Sequence, residues 1–361
     1  MKKAPLFLSV IGLLILLMIS QLVLPGREIS KMENRMLTQA PAFTAEGFVS
    51  GDWVDQLDQF SADQLPLRDA FVALHAAWQH VLGMRAGGDV IQGGDWLFER
   101  SDGWSPRSVT LNAKALAKLA QRTGKRVCLL AVPSSACLYP EKVPAYAPMT
   151  DEQALLDTAA EQIPVLPLLP ALQSAREEHP LYYRTDHHWS GYGVQVGYTT
   201  ACAALGLSPL PEEETQQYPG FYGSYYARHP LPGLPGDTLV FSFPEDVRLS
   251  INGEEKEGLW DADALAGRDK YAALLYGNHA VIELTCDSAP EGTLIVIKDS
   301  YANALLPLLA RHYRHVVAVD ARDFTDNIVD FVQKYEGDTV LCVYGLYTLA
   351  TGYSIYRLEG L

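Results

Sequence analysis

Hydrophobic positions follow three regimes along the chain. In the first, Ala4 to Gly26 carries no charge, and Leu6 to Leu24 is nearly all Leu, Ile, Val, Phe and Met, with Lys2 and Lys3 just ahead. A helix needs about 20 such residues to cross a bilayer. Residues 1–26 therefore read as an uncleaved signal anchor, a transmembrane helix with its lysines in the cytoplasm and the rest of the chain outside. The stretch ends Gln21-Leu22-Val23-Leu24-Pro25-Gly26, a poor cleavage site, although a cleaved signal peptide stays open. In the second regime, residues 27–92, a polar stalk leads into helical spacing. Trp53, Leu57 and Phe60 recur on one stripe, then Phe71, Leu74 and Trp78, and Pro66 is expected to separate two helices. These aromatics are expected to pack in a core.

The third regime, residues 93–361, alternates short apolar runs with helical patterns. Trp96-Leu97-Phe98 is a short strand. Ser105-Pro106 caps and opens a helix that Gly124 stops. Arg126 to Val132 is a continuous apolar run between Gly124 and Pro133, as expected of a buried parallel strand. Thr150-Asp151-Glu152 opens another helix, and Ile163 to Leu169 is an apolar run weakened as a strand by Pro164 and Pro167. Ser190 caps a helix from Gly191 to about Leu205, stopped by Gly206. Leu294–Ile297, Val316–Val319 and Val340–Val343 read as strands, with helices Ala302–His312 and Asp326–Lys334 between them. Such alternation predicts an α/β fold with a doubly wound, mostly parallel sheet. Residues from about 208 to 292 break the alternation. They are rich in Pro, Gly and Tyr, and Asn252-Gly253 after Val247–Ile251 signals a hairpin, so an antiparallel insert or lid is expected there.

The chain has 361 residues and a formal net charge of -15, with no basic run beyond Lys2-Lys3. Nucleic acid is thereby excluded as a partner, because phosphate binding needs clustered Lys and Arg. Five cysteines, Cys128, Cys137, Cys202, Cys286 and Cys342, form no CxxC, and their odd number prevents full internal pairing.

Two segments carry the chemistry. Tyr183-Arg184-Thr185-Asp186-His187-His188-Trp189-Ser190 offers an acid and an imidazole two residues apart. Ile297-Lys298-Asp299-Ser300-Tyr301-Ala302-Asn303 offers a serine at the end of a strand pattern and the start of a helix. Ligand sites of open α/β sheets form at the carboxyl ends of strands. Ser300 there could be a nucleophile facing helix N-terminal amides, or only a helix cap. His188 fits a base steadied by Asp186, with His187 pointing elsewhere. Asp, His and His are also metal-ligand types, but adjacent histidines rarely bind one ion through both rings, so neither a metal nor another cofactor is expected.

The joined motifs resemble the bacterial DHHW protein family. More distantly they are similar to the alginate O-acetyltransferase-like branch of the SGNH hydrolase superfamily. Weaker segments of the same likeness are Glu33-Asn34-Arg35 with Leu37, Asp63-Gln64-Leu65-Pro66-Leu67-Arg68-Asp69, Gly94-Asp95-Trp96-Leu97-Phe98 and Gly277-Asn278-His279. The resemblance implies an SGNH hydrolase-like domain with a permuted site: Ser300 as nucleophile, His188 as base and Asp186 as its orienter. It also implies that Asn278 helps hold the oxyanion, that Tyr301 and Arg184 face substrate, and that Trp189 packs beneath the loop. Arg184 could equally pair with a carboxylate, the simpler expectation.

The function expected is an extracytoplasmic, membrane-anchored O-acetyltransferase acting on a cell-envelope polysaccharide, and the resemblance implies a membrane-embedded acyl donor protein as partner. An acetylesterase would share the triad and differ only in using water as acceptor. A non-catalytic glycan- or partner-binding envelope protein is the third reading, in which Tyr218, Tyr222, Tyr225 and Tyr226 of the insert stack on sugars.

Overall fold

The structure, a computed structural model, describes residues 4–30, 35–84, 86–211, 214–352 and 354–357. Lys2, Lys3, Glu33 and Asn34 lie outside the described residues. The chain divides into two compact units, Met1–Gly88 with Tyr226–Leu234, and Asp89–Tyr225 with Pro235–Leu361.

In the first unit the expected helices form over Ala45–Ser50, Asp52–Asp63 and Arg68–Val81, and Pro66 lies between the last two. The expected core does not form along Arg68–Val81: Phe71, Leu74 and Trp78 are 44%, 65% and 60% exposed. Periodicity identifies an apolar stripe but not what covers it. The transmembrane reading of residues 1–26 is not carried by the structure either. Among the described residues no helix is long and apolar enough to cross a membrane. The segment forms the helix Ala4–Val23, where Ser9 and Ser20 turn their hydroxyls onto the carbonyls of Pro5 and Leu17.

The second unit is built on a seven-stranded sheet: β1 (Arg126–Val132), β2 (Val247–Ile251), β3 (Glu254–Lys256), β4 (Val281–Cys286), β5 (Thr293–Lys298), β6 (His315–Asp320) and β7 (Thr339–Gly345). Their spatial order is β3-β2-β4-β6-β5-β7-β1. The pairings β6–β5, β5–β7 and β7–β1 are parallel; β3–β2, β2–β4 and β4–β6 are antiparallel. The sheet is thus mixed rather than mostly parallel. Three strands of the expected insert extend it along one edge. Asn252 and Gly253, at φ 50° and 86°, make the tight turn between β2 and β3. Among the described residues of the insert, Gln216–Phe221 and Asp237–Phe241 pair as a separate ribbon.

Both faces are covered, which is why β1 and β5 to β7 read as unbroken apolar runs. Val127, Leu129, Ile295, Ile297, Val317 and Val340 point to one core, with Val109, Leu116 and Leu119 of helix α1 (Pro106–Thr123). Leu130, Val296, Val316 and Leu341 point to the other, with Val194, Tyr198 and Ala201 of helix α2 (Gly191–Leu205). Both helices have the expected ends: Ser105 and Ser190 cap them by accepting from Ser108 and Gly193 amides, and Gly124 and Gly206 close them at φ 72° and 73°. Two expected elements differ. Ile163–Leu169 makes only a single bridge from Val165 to Leu129 before a helix starts at Leu168. Ala302–His312 is split into a 3-10 turn, Ser300–Ala304, and a helix, Leu306–Ala310, whose first turn contains Pro307. All five cysteines are free, and four are buried.

Candidate active site

The carboxyl ends of the parallel strands converge because their registers align: Lys298 of β5 lies beside Asp320 of β6 and Val343 of β7, and Gly345 beside Val132 of β1. Ser300 follows β5, which like β7 is flanked on both sides by parallel neighbours. The turn that carries it is pinned to β7. Asp299 N–H donates to the Val343 carbonyl at 3.1 Å. One Asp299 carboxylate oxygen accepts from Tyr301 N–H, and the other from Gly345 N–H at 2.9 Å and the Thr348 hydroxyl at 2.7 Å. Burial raises the Asp299 pKa, and the Thr348 hydrogen bond works against that shift. Asp299 is therefore the cap of this turn. Below it, the fully buried Lys298 donates to Asn303 Oδ1 at 2.7 Å, and burial pulls its pKa down to about 8.

The second segment is a tight loop before helix α2. Tyr182 and Trp189 face each other in an antiparallel bridge. Buried Asp237 organises the loop by accepting from Arg184 N–H at 3.1 Å, Thr185 N–H at 2.8 Å and the Thr185 hydroxyl at 2.6 Å. Trp189 is fully buried and donates from Nε1 to the Tyr301 carbonyl at 3.1 Å, joining the two segments.

There the three expected residues meet. His188 Nε2 is 2.8 Å from Ser300 Oγ, and His188 Nδ1 is 2.5 Å from Asp186 Oδ1. Asp186 also accepts from His188 N–H at 2.9 Å and Ser224 N–H at 2.6 Å. Burial alone would push the Asp186 carboxyl up. The His187 and His188 rings beside it, with these hydrogen bonds, hold it well below the ordinary carboxylate range. Asp186 and His188 are buried, whereas Ser300 is partly exposed and so reachable. A cavity of about 100 Å³ opens at Ser300, lined among others by Val132, Ser134, His187, Tyr225, Arg322 and Leu346.

The remaining candidates divide. Tyr301 is buried and lines this cavity, with its hydroxyl donating to the His187 carbonyl at 2.6 Å. Arg184 pairs with Asp95 at 2.9 Å and Asp237 at 3.2 Å, the simpler of its two expected roles. Asn278 is not among the residues lining the cavity; it is exposed, and its Oδ1 accepts from Asn303 Nδ2 at 3.3 Å. The expected row of helix amides also narrows. Tyr301 and Ala302 N–H groups both donate to Asp299 in a short 3-10 turn. Donor atoms of Asp186, His187 and His188 lie within 4.8 Å of one another. They are engaged, however: His188 with Asp186 and Ser300, and His187 Nδ1 with Ser224 Oγ at 2.6 Å.

Sequence reasoning missed two contributors. Gly223 sits against Asp186 with no space for a β-carbon between them. Tyr271 stacks on His188, its ring centroid 3.6 Å from the imidazole. Both lie in the insert, where no periodic pattern pairs them with the loop.

Two family models match parts of the chain. The family model described as DHHW protein matches residues 167–319, and that described as SGNH hydrolase-like domain, acetyltransferase AlgX, matches residues 90–223. The chain is similar to both families. A crystal structure of a DHHW family protein from Eubacterium siraeum shares 18% identity at a TM-score of 0.63, covering 75% of this chain and 98% of that one. Bacillus cereus PatB1 with a sulfonyl adduct shares 19% at a TM-score of 0.62, covering 75% and 98%. These likenesses establish the SGNH hydrolase-like α/β fold. In sequence, the probable alginate O-acetylase AlgJ of Azotobacter vinelandii is 27% identical over 197 residues, 50% of this chain and 48% of that protein. The AlgJ of Pseudomonas syringae pv. tomato is 25% identical over 47% of each. The chain thus spans about half the length of the curated relatives it matches.

Proposed function

We propose that the protein is an O-acetyltransferase that modifies a cell-envelope polysaccharide through an acyl-enzyme on Ser300. The observation that carries this reading is the continuous hydrogen-bonded line from Ser300 Oγ through the His188 imidazole to Asp186. The chemistry follows from it. His188 Nε2 takes the Ser300 proton as Oγ attacks the carbonyl of the donor ester. The tetrahedral intermediate collapses, the C–O bond to the donor breaks, and His188 returns the proton to the departing alcohol. An acceptor hydroxyl then gives its proton to His188 and attacks the Ser300 ester, and collapse restores the serine hydroxyl. Asp186 fixes the imidazole tautomer and stabilises the imidazolium. With the Tyr301 and Ala302 amides occupied, the Ser300 N–H is the amide of this turn proposed to meet the oxyanion.

The small cavity at Ser300 suits a short acyl group. Acetyl as that group and a polysaccharide as acceptor draw support from the name of the AlgJ relatives, probable alginate O-acetylases. Envelope location and anchoring by residues 1–26 are part of the proposal and rest on the uncharged stretch Ala4 to Gly26; a membrane-embedded acyl donor protein is part of it too and rests on the family resemblance alone.

The test is trapping of the acyl-enzyme with a chromogenic acetyl ester, read by intact mass, for the native protein and Ser300→Ala. An acetyl adduct on the native chain alone supports the reading; equal labelling of both ends it. Adding an oligosaccharide separates transfer from hydrolysis: acetylated sugar marks a transferase, free acetate only an acetylesterase. A site that binds glycan without forming an adduct would mark the non-catalytic reading. Membrane fractionation of the full chain, with N-terminal sequencing, tests the anchor.

A further inference from the structure

Tyr271 touches both halves of the site. It belongs to the short 3-10 helix Lys270–Ala273 of the insert and is 4% exposed. Its ring lies face to face with the His188 imidazole, centroids 3.6 Å apart and planes 9° from parallel. Its hydroxyl donates to the Ser300 backbone carbonyl at 3.2 Å. One rigid side chain therefore contacts the base through its π face and the nucleophile's own residue through its polar tip.

We propose that Tyr271 is a positioning residue of the acyl-transfer site: it fixes the plane of the His188 ring against the Ser300 turn and stabilises the imidazolium formed when Ser300 is deprotonated. The inference rests on the Ser300 acyl-enzyme reading. An aromatic face attracts a cation more than a neutral ring. The contact thus strengthens as His188 takes the proton, and an interaction stronger in the transition state than in the ground state acts on kcat rather than on KM. Burial keeps the phenol pKa well above its ordinary value, so the hydroxyl stays a donor. The backbone after Tyr271 is tied to the rest of the insert. Leu275 and Tyr276 adopt φ of 52° and 60°, a region non-glycine residues enter only where their surroundings impose it. Leu275 is fully buried, and its N–H donates to the Leu259 carbonyl at 2.9 Å.

The experiment compares Tyr271→Phe, Tyr271→Leu and Tyr271→Met in the full chain, with p-nitrophenyl acetate as acyl donor and thermal unfolding as a fold control. Reading Leu and Met together keeps the result from hanging on one variant's folding. Tyr271→Leu and Tyr271→Met are expected to lose about ten-fold or more in kcat with KM nearly unchanged, while Tyr271→Phe, which keeps the stacked face, stays within about three-fold of native. Phe243→Leu removes an insert ring that stacks on Trp260 instead and is expected to leave kcat unchanged. Native kcat in the aliphatic variants, a loss confined to KM, or equal losses in Phe and Leu would overturn the inference. Native turnover by Ser300→Ala would instead overturn the acyl-enzyme reading itself.

Discussion

Gly223 and Asp186 touch so closely that only a hydrogen fits between their backbone and side chain. The neighbouring Ser224 amide reaches Asp186 Oδ2 at 2.6 Å, and the Gly223 amide reaches the Thr185 hydroxyl at 3.2 Å. The insert therefore grips the acid loop through two backbone amides, and at Gly223 there is no room for a side chain. Gly223→Ala is expected to push Asp186 away from His188 and lower kcat by about 10²-fold or more, the scale of a small misplacement in a positioned site. Steady-state kinetics with an acetyl ester checks this; a native rate would show that the loop absorbs the methyl group.

Asp186→Asn keeps the shape of the side chain but presents an amide where the ring N–H needs an acceptor. It is expected to favour the wrong imidazole tautomer and reduce kcat by about 10³-fold or more. Acetyl-ester turnover measures the loss. A change confined to KM would argue against an orienting role.

Asp299 holds the Ser300 turn to the end of β7 through Gly345 and Thr348. Thr348→Val is expected to cost about 1 kcal/mol, and Asp299→Ala about 2–4 kcal/mol because it strands buried amides. Chemical denaturation reads both. The Asp299 change should also lower acyl-enzyme formation, since it loosens the corner that carries the nucleophile.

Glu152 predicts a pH effect on stability. It is buried, accepts from Ser134 N–H at 2.8 Å and from the Ser134 hydroxyl, and burial pushes its pKa up to about 7. An acid with a raised native pKa binds its proton more tightly folded than unfolded. Its stabilisation is complete below about pH 4 and is lost as pH rises through about 7, amounting to about 3 kcal/mol across that window. Denaturation from pH 4 to 8 should show this decline in the native protein and its absence in Glu152→Gln. Parallel curves for the two would refute the assignment.

Local signals identified the elements that local chemistry controls. Ser105-Pro106 with Gly124, and Ser190 with Gly206, bound two helices because caps and left-handed glycines act within a few residues. Arg126–Val132 was legible as a strand because both of its faces are buried. Partnership was not legible. The alternation in Val247–Ile251 and Val281–Cys286 assigns an inward face, but it does not say whether the strands build a lid or widen the main sheet. In the site, Ser300, His188 and Asp186 were readable from two compact motifs. Asn278 lies exposed and outside the lining of the Ser300 cavity, a placement that a Gly-Asn-His turn does not reveal because it carries no orientation. Tyr271 was invisible because nothing near it in sequence reports a ring stacked on an imidazole from another part of the chain.

The order of strands has a consequence for how the molecule comes into being. β1 leaves the ribosome first of the seven, yet among the described residues the strand of the sheet that it pairs with is β7, the last. Through synthesis of most of the chain its apolar edge waits without that neighbour, and such long-range closure is slow and open to wrong partners. Because β7 also supplies the amide that fastens Asp299, the nucleophile's corner becomes rigid only when this final strand docks. A nascent or truncated chain lacking Thr339–Gly345 would carry every triad residue and still hold no assembled site.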